Sequence, residues 1–599
     1  MPNALATSDI AGAVVVVVKD GKVLTQRGYG WADVASAKPV DPDKTLFRPG
    51  SVSKLFVWTA VMQLVEQGKL DLDKDVNTYS DIKMPPLNGR PITLRMLMTH
   101  TSGLEEHAKR LFVANEKRLT NLQGFLKDVP HRINPAGEVP SYSNYGATLA
   151  GYIVERVSGE PFDAYIENHI FNPLGMAHSS FRQPLPAALK ADMSSGYTVA
   201  SQPAKGYELV NARPAGSVSS TGSDMARFMI AHLQDGKYGD FQMLKPETAR
   251  LMHATAFQGT PPLSGMALGF YHEDRNGHVV VGHAGDTQYF HSELHLFLND
   301  GVGLYISMNS AGKAGAAHTV RQQLFHEFAD RYFPSTAAPL PTLASAKKDG
   351  ALIAGRYIAS RDAKTTFLKL GSLLGQGTVK LNADGTVEVS AFKGPGGAPK
   401  RWREVGPMLW QEVNGASLMA ASMKDGKVKF LATDDFPPAI VLMPAPGGIN
   451  AGWAMPALLA AIGILGLCVA LWPITAIVRW RNKGAFKLEG RAAMLYRLVR
   501  VAAVLDLALV AGWLMLFSAL GNNIAMLDDP VDPWLHLLHL LGVICILGAV
   551  VGLWNLATVW ADGARSWWGK LSSVLIALAM LAGAYFIVVL NLLGPSVGF

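Results

Sequence analysis

The sequence predicts an α+β domain with an antiparallel sheet flanked by helices, then a small all-β domain, then four membrane-spanning helices. Three observations lead to this fold class. Strand patterns near both ends of residues 1–333 enclose helical patterns, short alternating strands fill residues 351–446, and long apolar runs follow Trp453. A chain of 599 residues has room for two to four domains, which agrees with this division.

The first element is a β-hairpin. Ala11–Val18 is apolar, Lys19–Lys22 contains an Asp-Gly turn, and Val23–Thr25 resumes the strand pattern. The apolar run is much shorter than the roughly 20 residues that span a bilayer, so we do not interpret it as a targeting segment.

Helical spacing and late strands complete the α+β domain, which we assign to residues 1–333. Helices are predicted at Ser53–Gln67, Thr148–Val157 and Asp224–Leu233, the last with Ser223 as its cap. Strands are predicted at Val279–Gly282, Ser292–Phe297 and Val302–Ser307. With a hairpin at the start and strands at the end, we expect both ends of the domain to share one sheet.

A second domain is predicted after a linker. Residues 334–350 are rich in Pro, Ala, Ser and Thr, which is typical of a linker. Within residues 351–446, Thr378–Leu381 and Thr386–Val389 flank an Asn-Ala-Asp-Gly turn, and Lys424–Lys427 marks another hairpin. This pattern predicts a small β-barrel or sandwich.

The C-terminal region, residues 451–599, contains the four predicted membrane helices, at residues 453–478, 501–520, 534–558 and 571–593. The loops after the first and third helices are basic, whereas the loop after the second carries three Asp and no base. By the positive-inside rule the basic loops are cytoplasmic. We therefore expect a multi-pass protein of the plasma or inner membrane, with its first 450 residues on the periplasmic or extracellular face.

This topology also explains the net charge of +7. Much of the excess lies between Arg479 and Arg500, beside the membrane, so the predicted partner is the lipid bilayer and not nucleic acid. An exported domain needs an export signal that the N-terminus does not show, so we expect the signal to precede Met1 or to have been removed. The two cysteines, Cys468 and Cys545, fall in apolar runs and predict no disulfide.

The first candidate for chemistry is Ser51-Val52-Ser53-Lys54, at the start of a predicted helix. A Lys three residues after a Ser lies one turn away on the same face, so its amine can approach the hydroxyl. The helix N-terminus favours developing negative charge. The pattern alone is weak, because Ser345–Lys348 repeats it in the linker, and a capping Ser with an exposed Lys is the common structural role.

Two further groups complete the candidate site. Tyr142 and Asn144 on one loop can direct a phenol and an amide to the same cavity, where a nearby Lys would lower the phenol pKa and make it a general base. In His283-Ala284-Gly285-Asp286 the glycine allows close approach of the backbone, and a backbone N–H can point at an oxyanion. The alternative for each group is an ordinary turn.

Together these groups resemble the class C β-lactamase, D-alanyl-D-alanine peptidase and esterase superfamily in order and separation. Further matching stretches are Leu97–Leu104 (Leu-Met-Thr-His-Thr-Ser-Gly-Leu), Asn172–Met176 and Pro214–Thr221. The resemblance covers about residues 10–333 and implies a β-lactamase-like fold. Residues 352–445 resemble the lipocalin-like domain that follows some of these hydrolases.

The resemblance implies a catalytic role for three residues. Ser51 would attack a carbonyl and form an acyl-enzyme, and Lys54 would hold the proton network between Ser51 and Tyr142. Tyr142 would act as general base and then as acid toward the leaving group. The family pattern implies no cofactor and no metal.

The same resemblance implies the substrate contacts. Asn144, His283 and Gly285 would bind the substrate, and the backbone N–H groups of Ser51 and Asp286 would form the oxyanion hole. His283 replaces the Lys of the Lys-Thr-Gly triad of β-lactamases. A neutral imidazole holds a substrate carboxylate less well than an ammonium does, which argues against penicillin. We expect a peptidase or amidase acting on small-molecule or peptide substrates that contain D-amino acids or N-acyl groups.

Two other functions are compatible with these residues. One is an esterase of the same superfamily, and the other is a non-catalytic membrane sensor that recognises penicillin or peptidoglycan. The complete set of Ser51, Lys54 and Tyr142 favours an enzyme.

Other ionisable residues receive structural interpretations. His291, Glu293 and His295 alternate along a predicted strand, so a shared sheet face is favoured over a zinc site. In the predicted membrane helices we favour helix–helix hydrogen bonding for Asp506 and interfacial placement for His536 and His539, over a proton path.

Overall fold

The computed structural model divides the chain into two compact units. It describes residues 1–335, 340–394, 397–594 and 597–599. The first unit comprises Met1–Gly355, Ala359–Arg361 and Gly377–Pro444, and the second comprises Arg356–Ile358, Asp362–Gln376 and Ala445–Phe599.

One antiparallel sheet organises the α+β domain. The strands of this domain are β1 (Gly12–Lys19), β2 (Lys22–Asp33), β3 (Lys38–Pro39), β4 (Phe112–Val113), β5 (Leu209–Val210), β6 (Lys237–Tyr238), β7 (Phe241–Gln242), β8 (Tyr271–His272), β9 (Val280–Asp286), β10 (His291–Phe297) and β11 (Val302–Met308). Seven strands pair in the order β3-β2-β1-β11-β10-β9-β8. The N-terminal hairpin therefore lies beside the last strand, β11, which confirms the predicted shared sheet.

Helices cover both faces of this sheet. The helices of this domain are α1 (Pro2–Ser8), α2 (Lys54–Glu66), α3 (Leu94–Met98), α4 (Leu122–Leu126), α5 (Asn144–Ser158), α6 (Phe162–Ile166), α7 (Ala187–Lys190), α8 (Arg213–Gly216), α9 (Gly222–Leu233), α10 (Pro246–His253) and α11 (Ala316–Tyr332). Successive side chains of β1 point to opposite faces. Val14 and Val16 contact α9, whereas Ala13 and Val17 pack in the clusters that contain α11. Both faces of the central strand are thus buried, as its unbroken apolar sequence requires.

Helices α2 and α5 carry candidate site residues at their first positions, and α9 packs against the sheet. Helix α2 is buried from Lys54 to Leu64, so its first turn cannot move away from the core. Helix α5 begins at Asn144 and is capped by Ser143, whose side chain accepts from Gly146 N. The cap predicted for α9 at Ser223 was wrong. Thr221 is the cap, because the helix begins at Gly222 and the Thr221 hydroxyl accepts from Asp224 N.

A closed eight-stranded barrel follows, which confirms the predicted all-β domain. Its elements are α12 (Ala346–Ile353), β12 (Gly355–Ala359), α13 (Lys369–Leu374), β13 (Gly377–Leu381), β14 (Val387–Lys393), β15 (Pro399–Gly406), β16 (Leu409–Glu412), β17 (Leu418–Lys424), β18 (Lys427–Thr433) and β19 (Leu442–Pro444). Trp402 and Trp410 are fully buried in it. Of the predicted linker, residues 336–339 lie outside the described residues, and its end belongs to α12.

The second unit contains four long helices, α14 (Ala451–Arg481), α15 (Gly490–Asn522), α16 (Asp532–Ala561) and α17 (Trp567–Val589). Within the described residues, these four are long and apolar enough to cross a membrane. Small residues such as Ala502, Ala549 and Ala579 fill their common interior, which allows close packing of helices in lipid. Asp506 and His539 are buried among the helices, whereas His536 is exposed.

Candidate active site

Ser51 and Lys54 meet at the start of α2. Ser51 lies in a 3₁₀ turn, Gly50–Ser53, and Lys54 is the first residue of the helix. The Nζ atom of Lys54 is 2.9 Å from Ser51 Oγ, the contact that one-turn spacing predicts. The same nitrogen is 2.8 Å from Asn144 Oδ1 and 2.6 Å from the carbonyl oxygen of Ala215. Helices α2, α5 and α8 thus converge on one buried amine.

The surroundings of Lys54 favour its neutral form. Burial, followed by repulsion from the Arg361 guanidinium, holds the pKa of Lys54 well below its usual value. The oxygens of Asn144 and Ala215 can only accept hydrogen bonds, whereas the Ser51 hydroxyl can also donate. A neutral amine can therefore donate to those two oxygens and direct its lone pair at the Ser51 hydroxyl. In this arrangement Lys54 can serve as the base for Ser51.

Tyr142 is the third member of the group. Its ring centroid is 4.8 Å from Lys54 Nζ, and the residue is buried. Among the described residues its hydroxyl has no partner at hydrogen-bonding geometry, although Ser51 and Tyr271 lie close enough to lower its pKa slightly. Burial has the largest effect and raises the pKa of Tyr142 above its usual value. The predicted lowering of the phenol pKa was therefore wrong, because the cost of burying a phenolate outweighs the neighbouring charge.

The turn that carries Ser51 packs directly against the end of β9. Gly50 has a φ of +55°, and a Cβ there would lie 2.6 Å from Asp286 N. A Cβ on Gly285 would lie 1.9 Å from Pro49 O and 2.8 Å from Ser51 N. Glycine at both positions is therefore needed for this approach. The contact brings the backbone nitrogens of Ser51 and Asp286 near each other, which an oxyanion hole requires.

An ion pair fixes the end of β9. Arg321, on α11, donates to both carboxylate oxygens of Asp286 at 2.7 and 3.1 Å and to the Gly285 carbonyl at 3.2 Å. Burial raises the pKa of Asp286, but Arg321 and His291 outweigh it and hold the pKa below its usual range. Asp286, His291 and His318 also bring three possible metal ligands within 4.8 Å of one another. Because the Arg321 guanidinium already binds both Asp286 oxygens, it would repel a cation there.

His283 is neutral and offers an acceptor. Its Nδ1 lies 2.5 Å from the Ala284 carbonyl oxygen, which can only accept, so the proton is on Nδ1. Burial, followed by Lys54, lowers the pKa of His283 to about 3. Its ring stacks on Tyr271 at 4.3 Å, and within the described part of the chain its Nε2 has no hydrogen-bond partner. This nitrogen is available to accept a hydrogen bond from a substrate.

His100, unlike His283, has a ring N–H that is available as a hydrogen-bond donor. Its Nδ1 accepts from the backbone N–H of Ser143 at 3.2 Å, so the proton of the neutral ring is on Nε2. Burial is the main reason that the pKa of His100 lies well below its usual value. The ring lies 4.3 Å from the Tyr142 ring and supports one side of it. His100 therefore fixes both the backbone beside Tyr142 and the orientation of the phenol.

The comparison with protein families agrees with this geometry. The sequence model of the family described as Beta-lactamase matches residues 2–326, more than half of the chain. The chain belongs to the Beta-lactamase family. It is thereby a member of a serine hydrolase superfamily that includes proteins similar to penicillin-binding proteins.

Two individual relatives are similar to part of this chain. PbpX of Bacillus subtilis (strain 168) is 34% identical over 232 residues, which are 37% of this chain and 54% of PbpX. Protein flp of Staphylococcus aureus (strain MRSA252) is 26% identical over 322 residues, which are 51% of this chain and 60% of flp. The chain thus spans little more than half the length of these relatives.

A solved structure shares the fold. The crystal structure of SurE is 20% identical and has a TM-score of 0.52, with 74% of this chain and 96% of SurE covered. A second structure, of SurE with D-Leu, is 22% identical with a TM-score of 0.51, and covers 74% of this chain and 97% of SurE. At this level of identity the similarity shows the fold.

The structure brings the residues predicted for the β-lactamase-family site into one region. Lys54 contacts Ser51 and Asn144 directly, and the Tyr142 ring lies against Lys54. The ring of His283 is 6.3 Å from that of Tyr142, and Gly285 and Asp286 adjoin the Ser51 turn. Their catalytic roles stay predictions.

The sequence analysis missed five residues of this site: His100, Tyr271, Arg321, Arg361 and Glu106, which is ion-paired with Arg361. His100 lies within the matching stretch Leu97–Leu104, so a signal existed without an assigned role. The other four are brought to the site only by the tertiary fold, and no local spacing singles them out.

We predict that Gly285→Ala lowers the rate of Ser51 acylation by at least about 100-fold, because the added methyl would clash with Pro49 O and Ser51 N and move the Ser51 N–H out of the oxyanion hole. Gly206→Ala is the matched control, since a Cβ there meets open space and Gly206 has no positive φ. The rate of Ser51 labelling by a fluorophosphonate measures both variants. Equal labelling of Gly285→Ala and wild type would contradict the proposed packing.

Proposed function

We propose that this chain is a membrane-anchored serine hydrolase that cleaves amides of D-amino-acid-containing or N-acyl substrates through an acyl-enzyme on Ser51. One observation supports this most strongly: the buried Lys54 amine lies 2.9 Å from Ser51 Oγ, and its other two contacts are oxygens that only accept. That is the environment of a general base for a serine nucleophile.

Acylation begins with the attack of Ser51 Oγ on the substrate carbonyl carbon, while Lys54 Nζ takes the hydroxyl proton. The backbone N–H groups of Ser51 and Asp286 stabilise the oxyanion of the tetrahedral intermediate. As the C–N bond breaks, the Tyr142 hydroxyl gives its proton to the leaving nitrogen, and the Lys54 ammonium returns a proton to the phenolate. One proton has then moved from Ser51 to the amine product.

Deacylation uses the same groups in reverse. A water molecule attacks the ester carbonyl, and its proton passes to the Lys54 and Tyr142 pair. The C–O bond to Ser51 breaks, and the pair returns one proton to Ser51 Oγ. Tyr142 acts as an acid in the first half-reaction because burial keeps its phenol protonated.

The Nε2 atom of His283 can accept a hydrogen bond but cannot donate one. This supports a substrate group at His283 that is uncharged or carries an N–H. Its Nε2 is an acceptor, so a substrate carboxylate would meet a lone pair there instead of a donor. Amide N–H groups fit this acceptor. SurE, which shares the fold, was crystallised with D-Leu, and we carry the D configuration to this chain as part of the proposal.

The proposed location is a plasma or inner membrane with the catalytic domain outside the cytoplasm. Four helices of sufficient length and apolarity support membrane insertion. The excess of Lys and Arg in the loop between α14 and α15, against the Asp-rich loop between α15 and α16, supports the orientation.

We predict that a fluorophosphonate forms an adduct on Ser51 of the full-length protein, and that Ser51→Ala abolishes both the adduct and hydrolysis. Mass spectrometry of peptides locates the adduct. Ser345→Ala is the matched control, because Ser345 begins another Ser-x-x-Lys pattern in the chain and its hydroxyl donates to Glu404 at 2.8 Å. A panel of N-acyl-D-amino-acid amides, their L enantiomers and p-nitrophenyl esters identifies the substrate class.

The outcomes of this experiment separate the candidate functions. Turnover of D-configured amides supports the proposal, whereas an adduct with ester turnover alone favours the esterase. A folded protein without an adduct at Ser51 overturns the enzyme proposal and favours the membrane sensor.

We predict that Tyr142→Phe slows amide hydrolysis by about 10²- to 10⁴-fold, the usual contribution of a general acid. Acylation of Ser51 by a p-nitrophenyl ester should slow much less, because p-nitrophenolate leaves without a proton. Single-turnover rates of acylation by the two substrates measure the ratio. Tyr152→Phe is the control, since the hydroxyl of Tyr152, on α5, donates to Asp81 at 2.8 Å. An equal loss for amide and ester would argue against the acid role of Tyr142.

The predicted membrane orientation can be tested by labelling single cysteines in a protein whose Cys468 and Cys545 are replaced by Ala. In intact bacterial cells, an impermeant maleimide should label a protein with Gly206→Cys but not one with Lys483→Cys, which lies in the basic loop. Lysis should expose the second position. The reverse pattern in intact cells would refute the proposed orientation.

A further inference from the structure

A short segment after β12 is fastened to the loop that precedes Tyr142. The Ser141 hydroxyl donates to Ser360 O at 2.9 Å, and the Ser360 hydroxyl donates to Pro140 O at 2.5 Å. Ser360 N also donates to Val441 O at 2.7 Å, which ties the segment to the barrel. Both serines are buried. The position of Arg361, the next residue, is therefore fixed relative to Tyr142.

Arg361 forms a bidentate ion pair at the catalytic group. Its Nε and one terminal nitrogen donate to the two carboxylate oxygens of Glu106 at 2.5 and 2.9 Å. Its guanidinium carbon is 5.1 Å from the centroid of the Tyr142 ring, and Lys54 Nζ is 4.8 Å from the same centroid. The Arg361 guanidinium and the Lys54 amine thus lie no more than about 10 Å apart, so the arginine charge would strongly repel a proton added to Lys54 in a buried site.

Four titratable groups around Lys54 carry no charge in the resting site, and the charge of Asp286 is paired with that of Arg321. Burial holds the pKa of His100 and of His283 far below neutrality, and it raises the pKa of Tyr142 and of Tyr271 above their usual values. Within the described residues, Arg361 and Glu106 are the charges that act most on the lysine. Arg361 lowers the pKa of Lys54 and Glu106 raises it, with the arginine stronger.

We propose that Arg361 is a positioning residue for catalysis: its charge beside the Tyr142 ring keeps the Lys54 amine neutral and ready to accept the Ser51 proton, and Glu106 holds the guanidinium there. The inference rests on the proposed function of Ser51 and Lys54. It gives the segment that carries Arg361, which is joined to the barrel, a role in the reaction. Without Arg361, the negative charge of Glu106 would act on Lys54 with no opposing cation.

The test compares opposite halves of one ion pair in the full-length protein. The rate of fluorophosphonate labelling at Ser51 should fall at low pH as Lys54 becomes protonated, and this fall is the acid limb of the pH profile. Arg361→Gln removes the cation that opposes protonation of Lys54, so the acid limb should move to higher pH, by about one unit. Glu106→Gln removes the anion that favours protonation, so the limb should move to lower pH. Both variants lose the same ion pair, and a purely structural role would therefore move both limbs in the same way or not at all.

Further measurements make each outcome decisive. Arg361→Lys keeps the positive charge and should return the limb toward its wild-type position, and circular dichroism checks that each variant is folded. Opposite shifts with recovery in Arg361→Lys support the inference. Shifts of the same sign, or none, in folded variants overturn it while leaving the proposed function intact if wild type is labelled. Failure of wild type to label at Ser51 overturns the proposed function itself.

Discussion

Three oxygens surround the amine of a fully buried lysine, and the site is built around this contact. Burying an unpaired ammonium is costly, so the interior favours a neutral Lys54 whose hydrogens are satisfied by neighbouring acceptors. The Asn144 amide and the Ala215 carbonyl are those acceptors, and the Ser51 hydroxyl is the remaining partner. One nitrogen thereby fixes the relative positions of the starts of α2 and α5 and of helix α8, and it activates the nucleophile with the same contact.

The backbone supplies the complementary half of the site. Glycines at positions 50 and 285 let the nucleophile turn and the end of β9 approach more closely than any side chain would allow. Arg321 then fixes that strand end by binding Asp286 and the Gly285 carbonyl. The Lys54 amine therefore organises proton transfer, whereas the contact between the turn and the strand organises stabilisation of the oxyanion. The two parts share Ser51.

Much of this arrangement follows from local sequence. A short apolar run followed by an Asp-Gly turn was sufficient to predict the first hairpin, and one-turn spacing was sufficient to predict the contact between Ser51 and Lys54. The cap of α9 was misplaced by two residues, because Ser and Thr cap helices almost equally well and both occur there. The pKa of Tyr142 was misjudged, because a sequence shows which charges are near but not how completely a group is buried. Arg361 and Glu106 could not be predicted, since they are 255 residues apart and meet only through the tertiary fold.

The central claim is that Lys54 is neutral at the pH of catalysis, and titration of its side chain tests this most directly. Lysine labelled with ¹³C at Cε can be followed by NMR across pH in the full-length protein, with the Lys54 signal assigned by its loss in Lys54→Arg. A neutral Lys54 should titrate with a midpoint well below about 10.4, the usual pKa of an exposed lysine. A Lys54 signal that titrates together with the exposed lysines would show that the resting amine is an ammonium, and it would contradict the assignment of Lys54 as the base.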